Sequence, residues 1–133
     1  MTATVMYLGE LRTENTHVKS GNTFVTDAPV DNNGKGEAFS PTDTVATGLA
    51  NCMMTVMGIK ARDMNYEMAG TQAEVTKTMA SNPRRISKIE IVFSFPELAS
   101  IKTRKTLEHT ANTCPVLYSL HPDIEKVVSF NWK

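Results

Sequence analysis

Along the chain, apolar positions alternate with polar ones in some stretches and recur at helical spacing in others, and the order of these patterns predicts an α+β fold. In the first thirty residues, TATVMYLG and NTFVTDAPV favour strand on either side of the polar segment RTENTHVKSG, which reads as a strand meander. DNNGKGEAFSP follows, with three Asn or Asp, two glycines and a proline, a loop composition. Ser40 is suited to N-cap a helix, Pro41 to its first position, and the Asp43 carboxylate, three residues after Ser40, to favour the helix start. The stretch TVATGLANCMMTVMGIKARDM then runs without proline. At about 100° per residue, Val45, Leu49, Cys52, Val56 and Ile59 fall within one arc. Met53, Met57, Ala46 and Ala50 widen that arc until only Thr47, Asn51, Thr55 and Arg62 form a polar stripe, so the helix is expected to be largely buried and to cross the middle of the fold. Gly48 and Gly58 would each weaken an isolated helix by about 1 kcal/mol relative to Ala, which predicts a close backbone neighbour at each.

After Gly70 the period changes to two. TQAEVTKTM and ISKIEIVFSF read as strands, the second through Ile89, Ile91, Phe93 and Phe95, with SNPRR as the hairpin turn between them. Pro96 is expected to open a charged surface helix running from Glu97 to about Asn112. Thr113, Cys114 and Pro115 break it and start a short helix, PVLYSL, which His121 and Pro122 stop, and EKVVSFNW reads as the last strand. Strands, helix, strands, two helices and a strand make an α+β order rather than the regular alternation of a doubly wound sheet.

The length of 133 residues fits one domain, 1–133, able to bury roughly two-thirds of its unfolded surface. Fourteen Lys and Arg against fourteen Asp and Glu leave no net field, which argues against a nucleic-acid partner. No stretch reaches the roughly 18 apolar residues of a membrane span, and MTATVMYLGE lacks the basic start and apolar run of a signal peptide, so a cytoplasmic protein with no membrane partner is expected.

The chemistry rests on two cysteines. Cys52 on its apolar arc is either a small buried packing residue or a nucleophilic thiol in an apolar pocket; as a nucleophile it needs a cation or hydrogen-bond donors from elsewhere, because burial alone raises a thiol pKa. Cys114 precedes a proline-started helix whose free N–H groups favour a thiolate, and on that ground it is expected to be the more acidic of the two; it too can be read as a packing residue at a helix junction. The 62 positions between them leave a disulfide open. His17, His109 and His121 complete the soft ligands, but no Cys-x-x-Cys or His-x3–5-His spacing occurs, so no metal is expected. There is no GxSxG, and the GKGE loop at residues 34–37 lacks the spacing and Lys-Ser/Thr end of a phosphate-binding loop.

SPTDTVATGLANCMMTVMGIKA, the later NTCPVLYSLHPDIE and the opening LGELRTENTHVKSGNTFVTDAP together resemble the OsmC/Ohr family of osmotically induced and organic-hydroperoxide-resistance proteins, over nearly the whole chain. The resemblance implies an OsmC-like two-layer fold, with antiparallel sheets around a central buried helix, in an intertwined homodimer. It also implies a thiol-dependent peroxidase acting on organic, lipid-like hydroperoxides. Cys52 matches the peroxidatic thiol that becomes a sulfenic acid, Cys114 the resolving thiol that closes a disulfide, and Arg12 the arginine that ionises Cys52. The acidity order implied this way is the reverse of the one drawn from helix ends. No cofactor is implied beyond an external dithiol reductant, often lipoyl-linked. Where peroxidase members carry a glutamate ten residues before the first Cys, this sequence has Thr42, with Glu37 and Asp43 as the nearby carboxylates that could support Arg12. That departure points to the divergent OsmC-like branch. The alternative function is a non-catalytic dimer that holds an apolar ligand in a Met-rich pocket or senses redox state through its thiols.

Overall fold

A computed structural model describes all 133 residues. The chain forms two compact units, Met1–Val45 and Ala46–Lys133. In the first, β1 (Ala3–Gly9), β2 (Arg12–His17) and β3 (Thr23–Asp27) form the expected antiparallel meander, in the order β1-β2-β3. The register sets Arg12 opposite Asp27 and Thr13 opposite Thr26, with the hairpin closed by the His17 amide on the Asn22 carbonyl at 2.8 Å. The segment after β3 turns through a short 3-10 segment, Val30–Asn32, and folds back so tightly that a Cβ at Gly34 would lie 1.8 Å from the Ala28 carbonyl oxygen. Only glycine fits there, and the return brings residues 36–39 alongside the end of β3.

The helix α1 (Pro41–Asp63) starts where the sequence signals place it. Ser40 and Asp43 close a reciprocal capping box: the Asp43 amide donates to Ser40 Oγ at 3.1 Å and the Ser40 amide donates to Asp43 Oδ2 at 2.9 Å.

In the second unit, β4 (Gln72–Ala80) pairs antiparallel with β5 (Arg85–Ser94), and β5 pairs parallel with β6 (Glu125–Asn131). This sheet is therefore mixed, not purely antiparallel: α2 (Ile101–Ala111) and α3 (Pro115–Ser119) lie between β5 and β6 in the chain and return β6 in the direction of β5. The alternation read in β5 holds, with Ile89, Ile91 and Phe93 buried on one face and Phe95 just beyond the strand. These side chains meet Leu49, Ala50, Met53, Met57 and Ala61 of α1 and Leu107 and Ala111 of α2 in one apolar core. Phe93 stacks on Phe130 and Phe95 on Trp132, fixing β6 to the core.

Three expectations are corrected. The buried face of α1 is Ala46, Leu49, Ala50, Met53, Met57 and Ala61, whereas Val45 and Ile59 of the expected arc are exposed. The helix is apolar on nearly every side, so periodicity alone could not choose its inner face, and the small alanines mark the face of close approach. At Gly48 and Gly58 an added Cβ would meet nothing within 4 Å, so no backbone neighbour accounts for either. The α2 helix begins at Ile101, not Glu97, because Ser100 supplies the N-cap and the Glu97 carbonyl accepts the Tyr66 hydroxyl at 2.8 Å.

Candidate active site

Two polar clusters carry the residues singled out in the sequence. In the second unit, both cysteines are free thiols packed against the same apolar core, with Cys52 near enough to act on the Cys114 thiol. Cys52 sits half-buried at the flank of α1, one turn after Leu49 and next to Met53 of the core face; Cys114 is fully buried, with no exposed surface. Cys114 is the N-cap of α3, and its Sγ accepts the Leu117 amide at 3.3 Å, the geometry that the Cys-Pro start predicts.

That cap does not make Cys114 acidic. Burial pushes its thiol pKa up; the Leu117 amide, and more weakly that of Val116, pull it down, while the hydrogen bond to Cys52 and the negative charge of an ionised Cys52 push it further up. The balance favours a Cys114 that keeps its proton, against the expectation drawn from the helix end. Two donated amides cannot offset removal of the sulfur from water beside a second sulfur.

In the first unit, Arg12 at the start of β2 donates from Nη1 to Asp27 Oδ2 at 3.2 Å, and the same nitrogen lies 3.7 Å from Glu37 Oε2. Of the two carboxylates weighed for Arg12, Glu37 reaches it and Asp43 closes the cap of α1. Asp27, which sequence reasoning missed, is the closer partner and is only 1% exposed. Its Oδ2 also accepts the Glu37 amide at 3.0 Å, and its own amide donates to the Phe39 carbonyl at 3.0 Å, so it ties the loop before α1 to β3. Its Oδ1 has no partner in the chain. The signal was available in the hairpin register: pairing His17 with Asn22 across the 18–21 turn leads back to Arg12 opposite Asp27.

The methionines that could have lined a ligand pocket are filled in. Met53 and Met57 are wholly buried in the core. A cleft at the C-terminal end of α1, lined by Gly58, Arg62, Asn65, Tyr66, Glu67 and Met68, includes neither cysteine. His17 bonds Ser20 and His121 bonds the Asp123 amide, each in local turn roles. No helix is long and apolar enough to cross a membrane.

Two free thiols packed against one apolar core within an α+β fold define a dithiol protein. The chain belongs to the OsmC-like protein family, whose pattern it matches over residues 34–128. It is similar to a crystal structure from Psychrobacter arcticus 273-4 assigned to osmotic stress induction and detoxification response, at 55% identity over 98% of this chain and 96% of that one, with a TM-score of 0.96. It shares its fold with a Legionella pneumophila organic hydroperoxide resistance protein OsmC at 14% identity, over 98% of this chain and 97% of that one, TM-score 0.75. It also shares it with a Vibrio cholerae protein assigned to organic hydroperoxide resistance, which has captopril bound in one of its active sites, at 15% identity over 98% and 92% of the two chains, TM-score 0.75. Among curated proteins, none matches the sequence.

Proposed function

We propose that this chain is a thiol peroxidase that reduces organic, lipid-like hydroperoxides. The observation that carries the reading is a pair of free thiols packed on one apolar core, Cys52 half-buried and Cys114 fully buried. In such a pair the half-buried Cys52 is the attacking sulfur and the buried Cys114 the resolving one. The Cys52 thiolate attacks the terminal peroxide oxygen, the O–O bond breaks, and the alkoxide takes a proton and leaves as the alcohol. Cys114 then attacks the resulting sulfenic acid, forming the disulfide and releasing water. An external dithiol restores both thiols, with no metal or flavin in the cycle.

Asp27 and Glu37 hold the Arg12 guanidinium in the role the family glutamate would otherwise fill. The working form is a homodimer in the cytoplasm. In support of the dimer, Val5, Met6, Tyr7 and Leu8 on both faces of β1 are exposed, a patch expected to bury itself against a second copy. Several fold relatives, including the Legionella and Vibrio proteins, are assigned to organic hydroperoxide resistance. The test is turnover of cumene hydroperoxide with dihydrolipoamide. Wild-type protein should consume peroxide and Cys52→Ser should fall to the uncatalysed background; retained turnover in that variant overturns the mechanism.

A further inference from the structure

The two sulfurs of the dithiol differ sharply in access, and the difference bears on how the oxidised protein is reduced. Cys114 is 0% exposed, enclosed by the apolar core and by the α3 turn that it caps. Cys52 is half-buried. One turn before it on α1, Gly48 has open space where a side chain would stand; one turn after it, Thr55 is exposed. Val45 and Ile59, two turns away on either side, are exposed apolar groups on the same stripe. An incoming thiol therefore has a path to one sulfur of the pair and none to the other.

We propose that the external dithiol always attacks the Cys52 sulfur, so that the mixed disulfide forms on Cys52 and Cys114 departs as the leaving group. This rests on the Cys52–Cys114 disulfide of the function proposed above. In the first step the attacking thiolate forms an S–S bond to Cys52 Sγ, the Cys52–Cys114 bond breaks, and its electron pair passes to Cys114 Sγ, which takes up a proton. In the second step the other thiol of the reductant attacks the mixed disulfide at the reductant's own sulfur. Cys52 is released as the thiolate, and the reductant leaves as its cyclic disulfide. Two electrons pass to the protein in all; of the two protons the reductant gives up, one ends on Cys114 and the other in solvent.

The surroundings of Cys114 suit a departing sulfur. The Leu117 amide already points at Sγ, so charge developing there meets a donor in place. Once Cys52 is bound covalently to the reductant, its charge and its hydrogen bond no longer add to the burial that raises the Cys114 pKa, and the amides of Leu117 and Val116 still lower it. Leaving-group departure is faster for a thiol of lower pKa.

The experiment uses the full chain with the disulfide formed by diamide, without any peroxide. A limiting amount of 2-mercaptoethanol is added, the exchange is stopped by acid after a short interval, the chain is unfolded in excess N-ethylmaleimide to label the released thiol, and the two cysteine peptides are read by mass spectrometry. The expected result is mercaptoethanol on Cys52 and maleimide on Cys114, in roughly tenfold or greater excess over the reverse pattern. Equal labelling, or mercaptoethanol mainly on Cys114, overturns the proposal, as does failure of diamide to link the two sulfurs. A chain that exchanges at Cys52 but turns over no hydroperoxide would sink the peroxidase reading and leave this one standing. Adducts on Cys114 in a fully active peroxidase would do the opposite.

Discussion

The two compact units solve opposite problems. Every buried hydrophobic side chain belongs to Ala46–Lys133, while the buried residues of Met1–Val45 are Thr26, Asp27 and Ser40, all polar. The larger unit is held by an apolar core between α1, α2 and β5. The smaller is held by a backbone ladder, a capping box and one arginine shared between two carboxylates, with much of its apolar surface outside; Tyr7, for example, is 64% exposed. Burial of apolar area is the main favourable term in folding, and a three-stranded meander without it is marginal. The first unit thus depends on apolar cover that its own residues do not supply, whereas the second holds its dithiol in a core that is already complete.

The contrast can be broken from either side. The largest effect is expected in assembly: Val5→Lys with Tyr7→Lys puts two charges on one face of β1 and should halve the mass seen by light scattering. A wild-type protein that already weighs as one chain would show that β1 tolerates water. In the second unit, Phe93→Ala removes a fully buried ring that stacks on Phe130 and should cost about 3–5 kcal/mol in urea unfolding. In the first unit, Asp27→Ala strips the closest partner from Arg12 and an acceptor from the Glu37 amide. Its expected cost is about 2 kcal/mol, below that of a fully buried pair because Arg12 is 30% exposed. Glu37→Ala, on the exposed rim of the same cluster, should cost under about 0.5 kcal/mol. Equal effects at Asp27 and Glu37 would mean that burial does not rank the two carboxylates.

The sequence was legible where a local rule has one solution. Ser40, Pro41 and Asp43 located the start of α1, and the alternation from Ile89 to Phe95 located β5 with its inner face. It was opaque where many arrangements satisfy the same pattern. A helix that is apolar nearly all round does not say which side faces the core, so Val45 and Ile59 were placed inside and are outside. The site shows the same divide. Cys52 and Cys114 stand out from their surroundings and Arg12 only through the family resemblance, but 62 residues of separation carry no information about two thiols that pack on the same core. Asp27 was missed because a lone acid at a strand end is ordinary until the hairpin register sets it opposite an arginine.

The smallest expected effect bears on how the second unit holds its thiols. Burial, and then the neighbouring Cys52, raise the pKa of Cys114 above its ordinary value, so the folded chain keeps the proton to higher pH than the unfolded chain does. The sign follows from linkage: between the two pKa values the unfolded state has lost the proton and the folded state has not, so ionisation favours unfolding. The contribution is whole below the ordinary thiol value of about 8.5 and is lost as pH rises through the folded value. The melting temperature of the reduced protein should therefore fall more steeply above about pH 8.5 than that of Cys114→Ser, whose hydroxyl does not titrate there but can still accept the Leu117 amide. Both proteins carry the same Tyr66, whose pKa burial also raises, so its slope cancels in the comparison. Parallel curves for the two proteins would mean that Cys114 gives up its proton as readily folded as unfolded, and the picture of a protonated Cys114 donating to Cys52 would go with it.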